Sequence, residues 1–134
     1  MPLGAVYPLE GRGDVIKLVF CCRRKPEMTR EEFQTRWLDV HGPLVKRVRE
    51  SMPAMKRYVQ SHSLPDEISE PVRASRGAAP AYDGITEVWF DSLEAMGADG
   101  PAAIEGAKAL LEDEAKFLDL PRCAVFLTEE HEIF

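Results

Sequence analysis

One of only three histidines in the chain, His41, stands in the stretch WLDVHGPLV, inside an apolar helical pattern and directly before Gly42-Pro43. An imidazole moved into a space of low dielectric has its pKa pushed down, stays neutral and can accept a proton from a bound molecule. At about 100° per residue, His41 lies roughly 60° from the centre of a stripe made by Phe33, Trp37, Val40, Leu44 and Val48, so it borders a core. Pro43 has no N–H for the carbonyl of Asp39 and pushes its ring toward it, while Gly42 lets the backbone adjust. A local kink is expected there, one that re-aims His41 into the space between helix and sheet. A structural role, with the ring bonded to a carbonyl freed by the kink, accounts for the same residue equally well.

Other chemistries lack their residues. His131-Glu132 opens a zinc-protease-like pattern that Phe134 closes before it is complete, no Gly-x-Ser-x-Gly elbow occurs, and no glycine-rich phosphate loop is present. What remains needs a pocket, a base and hydrogen-bond donors, with no metal and no cofactor: proton abstraction beside a carbonyl, dehydration, or decarboxylation of an activated ring. Tyr58 is the candidate to polarise a substrate oxygen, Trp37 and Trp89 are candidate pocket walls, and Glu87 is a candidate substrate contact. Each also has a plain reading, as core aromatics, an interface tyrosine and a solvated strand carboxylate. His62 and His131 flank strand ends and read as solvated.

Composition narrows the partners. A net charge of −6 over 134 residues offers no general attraction to phosphate backbones or anionic lipid. The two short basic clusters, Arg23-Arg24-Lys25 and Lys46-Arg47 with Arg49, lack interleaved aromatics and read as solvated faces. The start, MPLGAVYPLEGRGD, carries no basic residue before its apolar run and holds two prolines, so no secretory signal is expected, and no stretch approaches a membrane span. A cytoplasmic protein with Cys21, Cys22 and Cys123 reduced follows. Arg12-Gly13-Asp14 matches a cell-adhesion tripeptide and reads as chance in that setting.

The elements that must position these residues are marked by local signals. DVIKLVFCC predicts a strand over Val15 to Cys22. Thr29 with Glu32 three residues on forms a capping box ahead of the His41 helix. MKRYVQSH predicts a strand over Met55 to His62, and GITEVWF another over Gly84 to Phe90, with Asp91 or Ser92 capping a short turn through Met96. Pro101 suits the first turn of a helix whose buried face is Ile104, Ala107, Leu110, Leu111, Ala115 and Leu118. RCAVFLTEE closes the pattern as a strand from Arg122 to Glu129. Residues 63–83, with three prolines and several charges, read as a long irregular link, a lid or an interface arm. Residues 1–13 are expected as a flexible N-terminal segment and 14–134 as one domain.

The order βαββαβ is the split unit of a ferredoxin-like α+β sandwich with a four-stranded antiparallel sheet. Two helices cover one face of that sheet. The first and last strands, read as the outer ones, are nevertheless apolar on both sides, with Val19 and Cys21 against Leu18 and Phe20, and Val125 and Leu127 against Ala124 and Phe126. Something must cover the second face. A second copy related by a two-fold axis does so most simply, which predicts a homodimer.

KLVF, TREEFQTRWLDVHGPLV, RYVQSH, ITEVWFDSLEAM and DEAKFLDLPRCAVFLTEEH, in that order, resemble the EthD family of small dimeric α+β barrel proteins over residues 14–131. HGPL, from His41 to Leu44, is the most specific piece. The resemblance implies a dimeric α+β barrel that binds a small apolar, aromatic or polyketide-like molecule. It implies a cofactor-independent lyase, isomerase or monooxygenase in some relatives, and in others a non-catalytic or accessory protein holding an apolar metabolite or haem. A solidly packed structural dimer is the third reading that the residues leave open.

Overall fold

The structure, a computed structural model, describes residues 15–97 and 100–134; the expected N-terminal segment and the Arg12-Gly13-Asp14 tripeptide lie outside the described residues. Strand β1 is Ile16–Cys22, followed by helix α1, Arg30–Arg36, a π-helical turn at Trp37–His41, and helix α2, Gly42–Val48. Then come β2, Met55–His62, helix α3, Asp66–Arg76, β3, Gly84–Phe90, helix α4, Pro101–Glu114, and β4, Ala124–Glu129. The four strands form one antiparallel sheet in the order β2-β3-β1-β4, the ferredoxin-like arrangement. β1 is therefore an inner strand, and β2 and β4 are the edges. The sequence reading of β1 as an outer strand fails because the ferredoxin-like crossovers carry the first and third strands to the centre.

Strand register sorts the side chains by face, since directly paired residues share a side. Tyr58, Val88, Leu18 and Leu127 form one row toward the helices, and Gln60, Thr86, Phe20 and Val125 form the next. Lys17, Val19, Arg57, Val59, Ile85, Glu87, Trp89 and Phe126 take the other face. Among the described residues no helix lies on that face, and Phe126 keeps 49% of its surface exposed.

The capping box at Thr29 forms as the spacing predicts: the Thr29 hydroxyl accepts from Glu32 N–H at 3.1 Å and the Glu32 carboxylate accepts from Thr29 N–H at 2.9 Å. Ser92, of the two candidates, caps the following turn by accepting from Ala95 N–H. The 63–83 link is not irregular throughout. Asp66–Arg76 is helical despite Pro71, because a proline five residues into a helix deletes only the N–H that would reach Glu67, and Gly77 ends the helix at φ 59°. Arg30 pins it to the body, donating to Ser63 O at 3.0 Å and pairing with Asp66 at 3.0 Å.

The core lies in two blocks. One holds Cys22, Phe33, Trp37, Phe117 and Leu118; the other holds Val45, Ala54, Met55, Val88 and Phe90. Two inward faces differ from the expected ones. On the first helix the buried line is Phe33, Trp37, His41, Val45 and Val48, with Val40 exposed and Leu44 half-buried. On α4 it is Ala103, Gly106, Leu110 and Asp113, continued by Phe117, while Ile104 and Leu111 are 69% and 55% exposed. Gly106 explains this second difference: a Cβ there would lie 2.8 Å from Val48 Cγ1, so the small Ala103-Gly106 edge alone fits against α2.

Gly84 answers a similar demand. The Trp37 indole lies on it and stacks on the His62 ring, with centroids 4.4 Å apart. A Cβ at Gly84 would fall 2.4 Å from Trp37 Cζ3 and 2.7 Å from Ser61 O. Gly84→Ala is expected to cost roughly 1–3 kcal/mol or more by overpacking, read as a lower denaturation midpoint in urea. An unchanged midpoint would show that Trp37 is free to move off the strand.

Candidate functional site

The gap between the two core blocks is a cavity of about 370 Å³, walled by Phe20, Cys22, Trp37 and Phe117 on one side and by Val45, Met55, Val88 and Phe90 on the other. Well-packed domains ordinarily form one contiguous core, so a split core around open space costs stability. His41 reaches the gap from the π-helical turn. Because Pro43 offers no N–H, the helix widens by one residue: Gly42 N–H reaches back five positions to Trp37 O. The wider turn swings His41 from the border of the stripe to its centre, 4% exposed. Gly42 itself has ordinary helical angles, φ −53° and ψ −53°, so the adjustment comes from the turn and needs no special glycine conformation.

α4 supplies what the sequence reading of its apolar face missed. Asp113 Oδ2 lies 2.8 Å from His41 Nδ1, and Asp113 Oδ1 lies 2.5 Å from Arg36 Nη2. Burial works to raise the Asp113 carboxyl, but the bonds to His41 and Arg36 outweigh it and hold it below its usual value. The carboxylate is ionised, so His41 Nδ1 carries the proton and donates it, leaving Nε2 bare. Burial also lowers the His41 pKa more than Asp113 restores it, with Arg36 adding to the lowering. His41 is a neutral imidazole with its basic nitrogen facing the cavity.

Glu114 lies on the other side of that nitrogen, Oε2 3.8 Å from Nε2, and also lines the cavity. The distance exceeds a hydrogen bond, yet one ligand atom can touch both groups. Burial first, and the charge of Asp113 second, push the Glu114 carboxyl up to about 7. Near neutrality the pair thus offers a bare nitrogen and a carboxylic acid side by side, a base and an acid at a single point.

Tyr58 lines the same cavity, its phenol raised by burial, and Gln60 Nε2 donates to its hydroxyl at 3.0 Å. The same amide nitrogen donates to Trp37 O at 2.9 Å, which fixes the amide, so Gln60 Oε1 accepts from His62 Nε2 at 2.8 Å. With Gln60 as donor, the Tyr58 hydroxyl keeps its own proton to give. His62, read as solvated, is half-buried against Trp37. Trp37 is a wall of the cavity. Trp89 and Glu87 are not: strand alternation places both on the opposite face of the sheet, where Glu87 accepts from Lys17 at 2.8 Å and Trp89 lies under Arg57 and donates to Glu130 at 2.7 Å. Among the described residues no group of three or more His, Cys, Asp or Glu is placed to hold a metal ion, and no helix is long and apolar enough to cross a membrane. Cys22 faces the helices and Cys21 the bare sheet face, and both are free, as is Cys123.

The EthD domain model matches residues 25–121, which include the whole His41 helix and the Asp113-Glu114 pair. The chain belongs to the EthD family. Its fold is similar to that of an EthD family protein from Bacillus halodurans C-125, at 19% identity and TM-score 0.60 over 87% of this chain and 99% of that one. A hydroxynitrile lyase from Passiflora edulis has TM-score 0.60 at 16% identity, over 91% of this chain and 98% of that one. A dimeric ferredoxin-like protein of unknown function from Thermobifida fusca YX follows at TM-score 0.57 and 16% identity, over 89% and 93%. No curated protein matches the sequence.

In this EthD chain, a signal for Asp113 and Glu114 existed only as two acids beside an apolar heptad-like run, which ordinarily marks a solvated helix edge. The raised Glu114 pKa carries a pH-dependent cost. Folding favours its protonated form, so the penalty is absent below about 4.5, grows as pH rises and levels off above about 7, reaching about 3 kcal/mol. Glu114→Gln is therefore expected to gain stability over the parent between pH 5 and pH 8, measured by urea denaturation at both. A difference that does not change with pH would mean an ordinary, solvated Glu114.

Proposed function

We propose that this EthD protein is a cofactor-independent enzyme that moves a proton on a small aromatic or polyketide-like molecule held between helices and sheet. His41 Nε2 acts as the base, the Glu114 carboxylic acid returns a proton, and the Tyr58 hydroxyl holds a substrate oxygen. Isomerisation, dehydration and decarboxylation of an activated ring all need these groups and no more. The observation that carries the reading is the contact of His41 Nε2 with Glu114 at 3.8 Å inside a largely apolar cavity, with Nδ1 tied to Asp113. Such a site, with a base oriented by a buried carboxylate, is the arrangement that general-base catalysis requires. The hydroxynitrile lyase on a similar fold supports the class of reaction by analogy.

A panel of activated aromatic and polyketide-like substrates, followed by solvent deuterium incorporation or product formation, tests this. His41→Asn is expected to lower the rate about a hundredfold or more. The rate should be bell-shaped in pH: it falls on the acid side as His41 charges, below its ordinary value of 6.5, and on the alkaline side near pH 7 as Glu114 ionises. Glu114→Gln should abolish the alkaline limb. An unchanged rate in His41→Asn would sink the mechanism.

We also infer a cytoplasmic homodimer, with the bare sheet face of one copy packed on that of the other. Val19, Val59, Ile85 and Phe126 give this face its apolar surface, free thiols suit a reducing compartment, and similar structures are described as dimeric. Sedimentation should show a dimer at micromolar concentration and a monomer for Phe126→Lys. A parent chain that sediments as a monomer overturns the inference.

A further inference from the structure

The Lys46 and Arg49 cluster, which reads in sequence as a solvated face, borders a second space. Gly42, Val45 and Lys46 on one side of α2, with Arg49 just past its end, face the edge strand β2 across a groove of about 440 Å³. Lys56 and Arg57 complete its rim, and among the described residues no carboxylate lines it. The four cations are unequally engaged. Lys56 pairs with Asp91 at 3.3 Å and Arg57 lies over Trp89, whereas Arg49 gives only its Nε to Met55 O and Lys46 has no partner among the described residues. In a chain of net charge −6, a groove whose charged lining residues, among those described, are all cations stands against the background field.

The groove shares Val45, Met55 and Tyr58 with the cavity that holds His41. The two spaces differ in charge. Among the described residues no lysine or arginine lines the cavity, where His41 has the Glu114 carboxyl on one side and Asp113, itself paired with Arg36, on the other, whereas beyond Tyr58 the neighbours are Lys46 and Arg49. We propose that the groove binds the anionic end, a carboxylate or a group of like charge, of a molecule whose ring occupies the cavity. This rests on the reading of the cavity as the substrate site. It names the substrate class as an amphipathic anion and its orientation as ring toward His41 and charge toward Lys46. The exposed cations also give anions a salt-dependent advantage in reaching Tyr58.

Two dyes with one ring system test it: anilinonaphthalene sulfonate and its uncharged parent, phenylnaphthylamine. The two indole N–H signals of the chain, assigned with Trp89→Phe, report the place of binding, because Trp37 lines the cavity and Trp89 lies on the opposite face of the sheet. Both dyes should shift the Trp37 signal and leave that of Trp89, with the sulfonate binding more tightly. Lys46→Glu, an exposed change, should weaken the sulfonate about tenfold at low salt and leave the neutral dye within twofold, while Lys116→Glu, equal in charge and remote from the groove, should change neither. Equal effects of Lys46→Glu on both dyes, or none on the sulfonate, overturn the anion site and leave the cavity reading standing. If neither dye shifts the Trp37 signal, the cavity does not hold a ring and both readings fall.

Discussion

The organisation of this protein depends on one buried carboxylate. Asp113 is held between Arg36 and His41, and through it α4 is joined to the helix that carries the site. A carboxylate in such a place is tolerated only when paired and hydrogen-bonded, and removing either partner would leave a charge in low dielectric. Arg36 keeps Asp113 ionised, and the ionised Asp113 keeps the His41 proton on Nδ1. The bare Nε2 facing the cavity is a consequence of that chain, not of His41 alone.

The neighbouring carboxyl meets the opposite fate. Asp113 and Glu114 are adjacent on one helix end, yet their environments push them apart: Asp113 has a guanidinium and an imidazole, and Glu114 has an apolar cavity and the charge of Asp113 beside it. A carboxyl pushed to about 7 stands beside an imidazole whose pKa is lowered from its ordinary value, so a proton-bearing and a proton-free group meet at one point just below neutrality. The split core and the raised carboxyl both cost folding free energy. Cost of this kind concentrates where a protein binds or reacts, which is why the gap between the two core blocks draws attention away from the better-packed regions.

Much of the scaffold was legible because it rests on local rules. The capping box at Thr29, the alternation in VFCC and EVWF, and the turn at Ser92 need only neighbours in sequence, and their elements appear within a few residues of the expected bounds. Helix faces were less legible. Hydropathy placed Ile104 and Leu111 inside, but Gly106 permits a close approach to Val48 and turns them outward. Likewise Val40 lost its place to His41 when the turn before Pro43 widened. Residues 63–83 read as irregular because of their three prolines and several charges, although Pro71 removes one hydrogen bond from a helix that tolerates the loss.

By itself the sequence determined the order of elements, the ferredoxin-like class, a disturbance of the helix before Pro43 and the apolar character of the first and last strands on both sides, since each follows from periodicity, capping or a missing N–H within a few residues; which strands lie inside the sheet it did not determine. Only the tertiary structure decided that Asp113 and Glu114, some seventy positions from His41, flank its ring, and that Trp89 and Glu87 face away from it. The reason is physical: a carboxyl's proton affinity is set by what is packed against it. Strand pairing and helix rotation, not spacing along the chain, bring those neighbours together.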